Sequence, residues 1–361
     1  MNVSWFWIKQ RPQFLAEEIS AYYPVTVVCL EDHNAGEKVK KLNVKGRLSF
    51  IAFNILRSGL GTALVSHFNF RFRKFKLGRA AKKHSIIWLT SPSQFALAKS
   101  LITKKQLVIY DCMDNATAFH DSEPVINKIF SLEAALCERA DLIITSADFL
   151  KRNLEHNYKV EKNIAVVNNA LQPLKISVDE LPTEIKNLFS DNSKKYVTYI
   201  GTVSRWFNFD DLVLALNPFP SIQVIIFGPI DCPVPNHIQI SYAGIIKHAL
   251  VSEVMQLSDA LIMPFKITPL VQGVNPVKAY EYISSGKPVI LSMYNETRAF
   301  EKFAHLYDNA KELETLFSLL MTDKLMAKED KETCTAFANN NTWHQRAFTI
   351  SGMINMLLEK R

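Results

Sequence analysis

Short, continuous apolar runs that end in polar turns alternate along the chain with stretches of helical spacing. In the first half the runs cover residues 25–30, 86–90, 107–110, 141–146 and 164–170, and helical stretches cover 94–101, 133–140 and 147–158. Runs without polar alternation belong to strands covered on both faces, and the helices between them supply the crossovers that parallel strands require. The pattern therefore predicts an α/β chain built on doubly wound parallel sheets. It restarts at residue 196, with strands expected over 196–200, 223–227, 240–246 and 260–265 and a helix over 210–216. Residues 172–195, richer in Pro, Lys, Asp and Ser, read as a connection with one short helix. Two domains follow, 1–171 and 196–335, with a last helical segment over 336–361.

At 361 residues, 48% of them apolar, the chain can bury two cores. A net charge of +7 and a pI near 9.0 favour an anionic partner, whether nucleotide, lipid surface or nucleic acid. Cys29, Cys112, Cys137, Cys232 and Cys334 are scattered, with no C-x-x-C pair or Cys/His cluster of metal spacing, which points to a reducing compartment and away from structural zinc. The N-terminus lacks a secretory pattern, and the longest apolar stretch, 48–65, is broken by Asn54 and Arg57. Neither a signal peptide nor a membrane-spanning helix is expected, and the cytoplasm is the expected compartment.

The richest stretch is 275–290. Asn275 suits an N-cap, Pro276 the first helical position and Gly286 the left-handed residue past the end, and Pro288 prevents continuation. Val277, Tyr280 and Ile283 should face the core, leaving Lys278, Glu281 and Ser285 on another face. The N–H groups opening such a helix favour a phosphate, and Lys278 adds a full charge within the first turn. Glu281 lies about 7.5 Å further along the axis, close to the separation of a distal phosphate from the ribose of a nucleoside diphosphate. Its carboxylate can accept from two ribose hydroxyls. The competing reading is a plain i, i+3 ion pair.

Three further regions carry candidate chemistry. Asp111 and Asp114 end the strand at 107–110, where open parallel sheets bind ligands, although an Asp there is also a common turn or capping residue. Arg11, near a helix start, either meets an acceptor phosphate or solvates that start. Residues 38–84 interleave Lys38, Lys40, Lys41, Lys45, Arg47, Arg71, Arg73, Lys74 and Lys76 with Phe68, Phe70, Phe72 and Phe75. That pattern suits anionic lipid headgroups, and it also fits a basic solvated helix or single-stranded nucleic acid. Nucleic acid is the weakest of these, because it leaves the 275–290 helix without a role.

Pro276-x-Lys278-x-Tyr280-Glu281-Tyr282-x-x-x-Gly286-Lys287-Pro288-Val289 resembles the donor-site motif of bacterial GT-B glycosyltransferases. The likeness is to family 4 and to teichuronic-acid and exopolysaccharide transferases. Arg11-Pro12-Gln13, Tyr110-Asp111-Cys112-Met113-Asp114, Asn168-Asn169-Ala170 and Gly201-Thr202-Val203-Ser204 agree in order, so the resemblance runs from about residue 5 to 348. It implies a GT-B fold of two Rossmann-like domains, an active site in the cleft and a C-terminal helix crossing back, with Trp343 as a packing anchor. It also implies transfer from a nucleotide sugar to a lipid-linked or oligosaccharide acceptor; because Lys278 and the helix end can neutralise the leaving diphosphate, no metal or other cofactor is expected, and the basic, aromatic stretch suggests a protein peripheral on the cytoplasmic face of the inner membrane. Asp114 is the candidate base, Asp111 more an orienting or capping residue, and His120 an outside choice. Gly201, Thr202, Arg205, Gly244, Ile245, Ile246, Asn275, Lys278 and Glu281 are the candidate donor contacts. Two positions depart from the pattern: Thr202 stands where many relatives carry a diphosphate-binding Arg, and Gly273 where many retaining enzymes carry a second glutamate. An epimerase acting on the donor, or a silent partner subunit of the same fold, are the alternative readings.

Overall fold

The computed structural model describes residues 5, 9–31, 46–54, 63–171 and 181–361. The basic residues at 38–45 lie outside the described residues, as do the side chains of Phe68, Phe70 and Arg73. The chain forms two compact units: residues 1–168 with 343–361, and residues 169–342.

In the first unit β1 (Val25–Glu31) pairs parallel with β2 (Leu48–Asn54), and β3 (Ile86–Leu89), β4 (Leu107–Cys112), β5 (Leu142–Thr145) and β6 (Ile164–Val166) form a second parallel sheet in that order. Helices α1 (Arg11–Ile19), α2 (Ala63–Ala81), α3 (Pro92–Ala98), α4 (Glu123–Arg139) and α5 (Asp148–Tyr158) connect them. The strand at 48–54 was not expected from the sequence, because its apolar run continues past Asn54 and hides the boundary. β4 is buried along its whole length, as its unbroken apolar run requires. Glu133 of α4 is accommodated in this core by accepting hydrogen bonds from the hydroxyls of Tyr110 and Tyr158. Burial still pushes its carboxyl above the usual range.

The second unit carries one parallel sheet in the order β12-β11-β10-β7-β8-β9, formed by β7 (Lys195–Ile200), β8 (Ile222–Phe227), β9 (Ile240–Gly244), β10 (Ala260–Met263), β11 (Val289–Ser292) and β12 (His305–Tyr307). Around it lie α6 (Thr183–Asn187), α7 (Phe209–Leu216), α8 (Val251–Leu257), α9 (Pro269–Gln272), α10 (Val277–Ser284), α11 (Ala310–Met321) and α12 (Lys331–Asn339). The strand order reverses between β7 and β10, which places a ligand crevice at their carboxyl ends.

The last helix, α13 (Trp343–Glu359), returns to the first unit. Trp343 stacks on Phe14 of α1 at 5.0 Å, and the Tyr23 hydroxyl donates to Asn355. The segment that crosses back is shorter than the 336–361 expected. Phe337 packs between Tyr280 and Phe303, which keeps α12 in the second core. At the other boundary Leu171 and the described residues 181–195 also belong to the second unit. The Leu171 N–H donates to the Asn341 carbonyl at 2.8 Å, and Phe189 packs on Tyr196.

Candidate active site

In the second unit α10 begins at the carboxyl end of β10, and Tyr282 fastens it to β7: the Ile200 N–H donates to the Tyr282 hydroxyl at 2.7 Å. The helix is buried more completely than a one-sided pattern implies, since Glu281 and Ser285 join Ala279, Tyr280, Tyr282 and Ile283 inside. Lys278 keeps 31% of its side-chain surface exposed, and its Nζ lies 2.7 Å from Glu281 Oε2. A half-exposed cation and an inward carboxylate thus share the first turns of a helix at the switch point. Gly286 adopts φ +72°, the left-handed end expected of it.

Asn275 does not cap α10. The N-cap is Pro276, and the Asn275 amide turns away to accept from the Asn169 N–H at 3.0 Å and from the Tyr280 hydroxyl at 3.1 Å. Asn169 donates in turn to the Asn275 carbonyl at 2.7 Å, and the Tyr294 hydroxyl donates to the Val274 carbonyl at 2.9 Å. These bonds fix the loop ahead of α10 to a turn a hundred residues away in sequence. The sequence pattern marks neither Asn169 nor Tyr282 as a site residue. The Asn168-Asn169-Ala170 pattern was the available signal, and no spacing rule tied it to Asn275.

Gly201 ends β7, and its missing side chain is already used within the protein. A Cβ there would lie 2.7 Å from the Tyr199 hydroxyl, and a Cβ on Gly228 would lie 2.0 Å from the Gly201 carbonyl oxygen. Thr202 is half-buried beside it and Arg205 is exposed in the same loop. Gly244, at φ +74°, ends β9, and Ile245 and Ile246 follow it, with Ile245 largely exposed.

In the first unit the carboxyl ends of β4 and β6 meet the start of α1. Arg11 is buried, not presented to an acceptor or membrane as expected. Its Nε and Nη2 contact Asp111 at 2.9 and 2.8 Å, and its Nη1 donates to the Val167 carbonyl at 2.7 Å. Asp111 is fully buried and so faces no cleft. It orients the chain through Arg11. The reason is the charge itself: each ion reaches the interior only because the other neutralises it. Asp114, two residues past β4, keeps partial exposure and has its carboxyl pushed up to about 7, by burial first, against the lowering pull of Arg11 and with a further rise from Asp111. His120 lies exposed after the turn Ala116–Phe119. On α2, Arg71 is exposed, Lys74 and Lys76 are half-buried, and Lys76 sits 4.7 Å over the Phe72 ring. Phe72 and Phe75 are exposed at 38% and 63%.

Two Rossmann-like units of this topology, with the last helix returning to the first, define the GT-B fold. Solved structures of that fold match nearly the whole chain. Sucrose-phosphate synthase from Thermosynechococcus elongatus aligns at a TM-score of 0.74 and 14% identity, covering 97% of this chain and 93% of that one. HepE of Anabaena, solved with UDP and glucose, aligns at 0.68 and 13%, covering 94% and 95%. No family model matches. In sequence the chain is similar to TuaH of Bacillus subtilis, provisionally named a teichuronic acid biosynthesis glycosyltransferase, at 24% identity over 272 residues. That alignment takes in 70% of this chain and 66% of the relative, just under two thirds of its length.

Proposed function

We propose that the protein is a glycosyltransferase that moves a sugar from a nucleoside-diphosphate sugar to a hydroxyl of a lipid-linked or oligosaccharide acceptor in cell-surface polysaccharide synthesis. The observation that carries this reading is the Lys278–Glu281 pair at the start of α10, over the switch point of a GT-B donor lobe. A diphosphate competes with Glu281 for the half-exposed ammonium, and ribose hydroxyls then take over the carboxylate as donors. The helix N–H groups and Lys278 stabilise the departing diphosphate, so the proposal requires no metal. Gly244, Ile245 and Ile246 would border the base. The donor's C1–O bond to phosphate breaks as the acceptor oxygen bonds to C1, and Asp114 takes the acceptor's proton. A carboxyl near 7 is matched to that task at neutral pH. Arg71, Lys74, Lys76 and the exposed rings of Phe72 and Phe75 favour peripheral contact with anionic lipid on the cytoplasmic face. Among the described residues no helix is long and apolar enough to cross a membrane.

Calorimetry with a panel of nucleoside diphosphates and sugar nucleotides, led by the uridine compounds found with HepE, tests the donor site. The expected outcome is micromolar binding of one nucleotide, weakened tenfold or more, about 1.4 kcal/mol, by Lys278→Ala and by Glu281→Ala. If nothing binds, or if binding ignores both residues, the helix is structural and the reading fails.

A further inference from the structure

β4, β5 and β6 lie side by side in the first unit, and each runs at its carboxyl end into a loop. Bonding between them continues past the strands. The Ser146 N–H donates to the Cys112 carbonyl at 3.0 Å, and the Val167 N–H donates to the Thr145 carbonyl at 2.9 Å. Beyond these backbone bonds side chains take over. The Ser146 hydroxyl donates to the Met113 carbonyl at 3.0 Å, and the Asn168 side-chain amide donates to the Ser146 carbonyl at 3.1 Å. The Asn168 carbonyl accepts in turn from Arg346 of α13 at 3.2 Å.

Ser146 is the hub of this row, and it is fully buried. It stands one residue ahead of Ala147, the N-cap of α5, which makes no side-chain cap. Its hydroxyl leaves that helix start uncapped and goes to β4 instead, to the carbonyl just ahead of Asp114. A buried hydroxyl needs a partner and holds it at a fixed distance. The Cys112 thiol reaches the Asp114 carbonyl itself, at 3.6 Å. The turn that carries Asp114 is therefore tied back twice by side chains, once from β5 and once from β4. Placement matters to this carboxyl: burial acts on it most strongly, and Arg11 of α1 and Asp111 of β4 act with opposite signs.

We propose, resting on the glycosyltransferase reading above, that Ser146 is a positioning residue for Asp114 and that Asn168 supports it: the serine hydroxyl fixes the turn after β4, and with it the place of the carboxylate that takes the acceptor's proton. A general base works only within hydrogen-bond reach of the proton it removes. Ser146, wholly buried, touches no substrate and acts through the turn alone. A serine that merely completed the core would lower stability when removed and leave Asp114 as it was.

Carbon-13 NMR of the side-chain carboxyls, with the Asp114 signal assigned by its loss in Asp114→Asn, follows this group without needing activity. In Ser146→Ala the released turn admits water, and burial is the chief cause of the raised carboxyl, so the midpoint of its titration should fall by about 1 pH unit. Asn168→Ala should move it the same way. In kinetics Ser146→Ala should lower plateau kcat about tenfold with the donor Km unchanged, and the pH limb of kcat should follow the NMR midpoint. A midpoint that stays within about 0.2 pH unit of the unaltered protein's, whatever happens to Tm, overturns the proposal. Should Ser146→Ala not fold, Asn168→Ala, at a half-buried position, decides by the same readout. If the midpoint moves and the pH limb of kcat does not, Ser146 still positions Asp114, and it is the assignment of Asp114 as base that fails. The donor reading fails separately, by the calorimetry above.

Discussion

Each unit places an oppositely charged pair at a helix start near the carboxyl ends of parallel strands, and the two pairs differ in kind. Arg11 and Asp111 retain 3% and 0% of their side-chain exposure, and the guanidinium also holds the end of β6 through Val167. Lys278 and Glu281 share one contact across a single helical turn, and Lys278 is 31% exposed. Separating the first pair strands two charges in the interior, whereas separating the second lets a flexible ammonium turn toward solvent and leaves only the Glu281 carboxylate, 6% exposed, needing a new donor. A closed pair holds architecture, and an open one remains available to a ligand.

The comparison breaks most visibly at Arg11. Arg11→Ala should cost about 3–5 kcal/mol by denaturant unfolding, because Asp111 is left buried without its partner. A loss under about 1 kcal/mol would place the two pairs in one class. Asp114→Asn should lower kcat by about a hundredfold or more with the Km for the donor unchanged. If the proposed transfer runs through Asp114, activity of the unaltered protein should rise with pH through an apparent pKa of about 7, a limb the variant lacks. The sign for stability is opposite. A carboxyl whose folded pKa is raised favours the protonated form, so its contribution falls as pH climbs from the usual carboxylate range to about 7. Asp114→Asn should therefore be more stable than the unaltered protein, and by more at pH 8 than at pH 5, in thermal melts. Glu281→Ala should weaken nucleotide binding about tenfold while costing less stability than Arg11→Ala, because Lys278 can reach water. Gly286→Ala, which forces a side chain onto φ +72°, should cost about 1 kcal/mol and leave nucleotide affinity within about twofold.

The open pair was legible in the sequence and the closed one was not. Lys278 and Glu281 are three residues apart on a helix with recognisable end signals, so their meeting follows from local geometry. Arg11 and Asp111 are separated by a hundred residues, and only the packing of α1 against the end of β4 brings them together. Local rules accordingly assigned Arg11 to the surface. Asn275 failed for a related reason. It has the right residue type for a cap, but a tertiary bond from Asn169 and a bond from the Tyr280 hydroxyl on the helix itself take its side-chain oxygen in place of the helix N–H groups. The strands and their parallel order were readable because runs such as 107–110 and 223–227 are apolar without interruption. The strand at 48–54 was missed where apolar residues continued beyond its end.

The return of α13 to the first unit has a consequence for biosynthesis. Residues 169–342 form one uninterrupted stretch and leave the ribosome before the chain is finished, so the second unit can fold during synthesis. The first unit gains its last helix only afterwards. Phe14 must wait for Trp343, and Tyr23 for Asn355, so the half of the protein made first is completed last. A nascent chain stalled anywhere short of α13 would leave Phe14 on α1 without the ring that covers it.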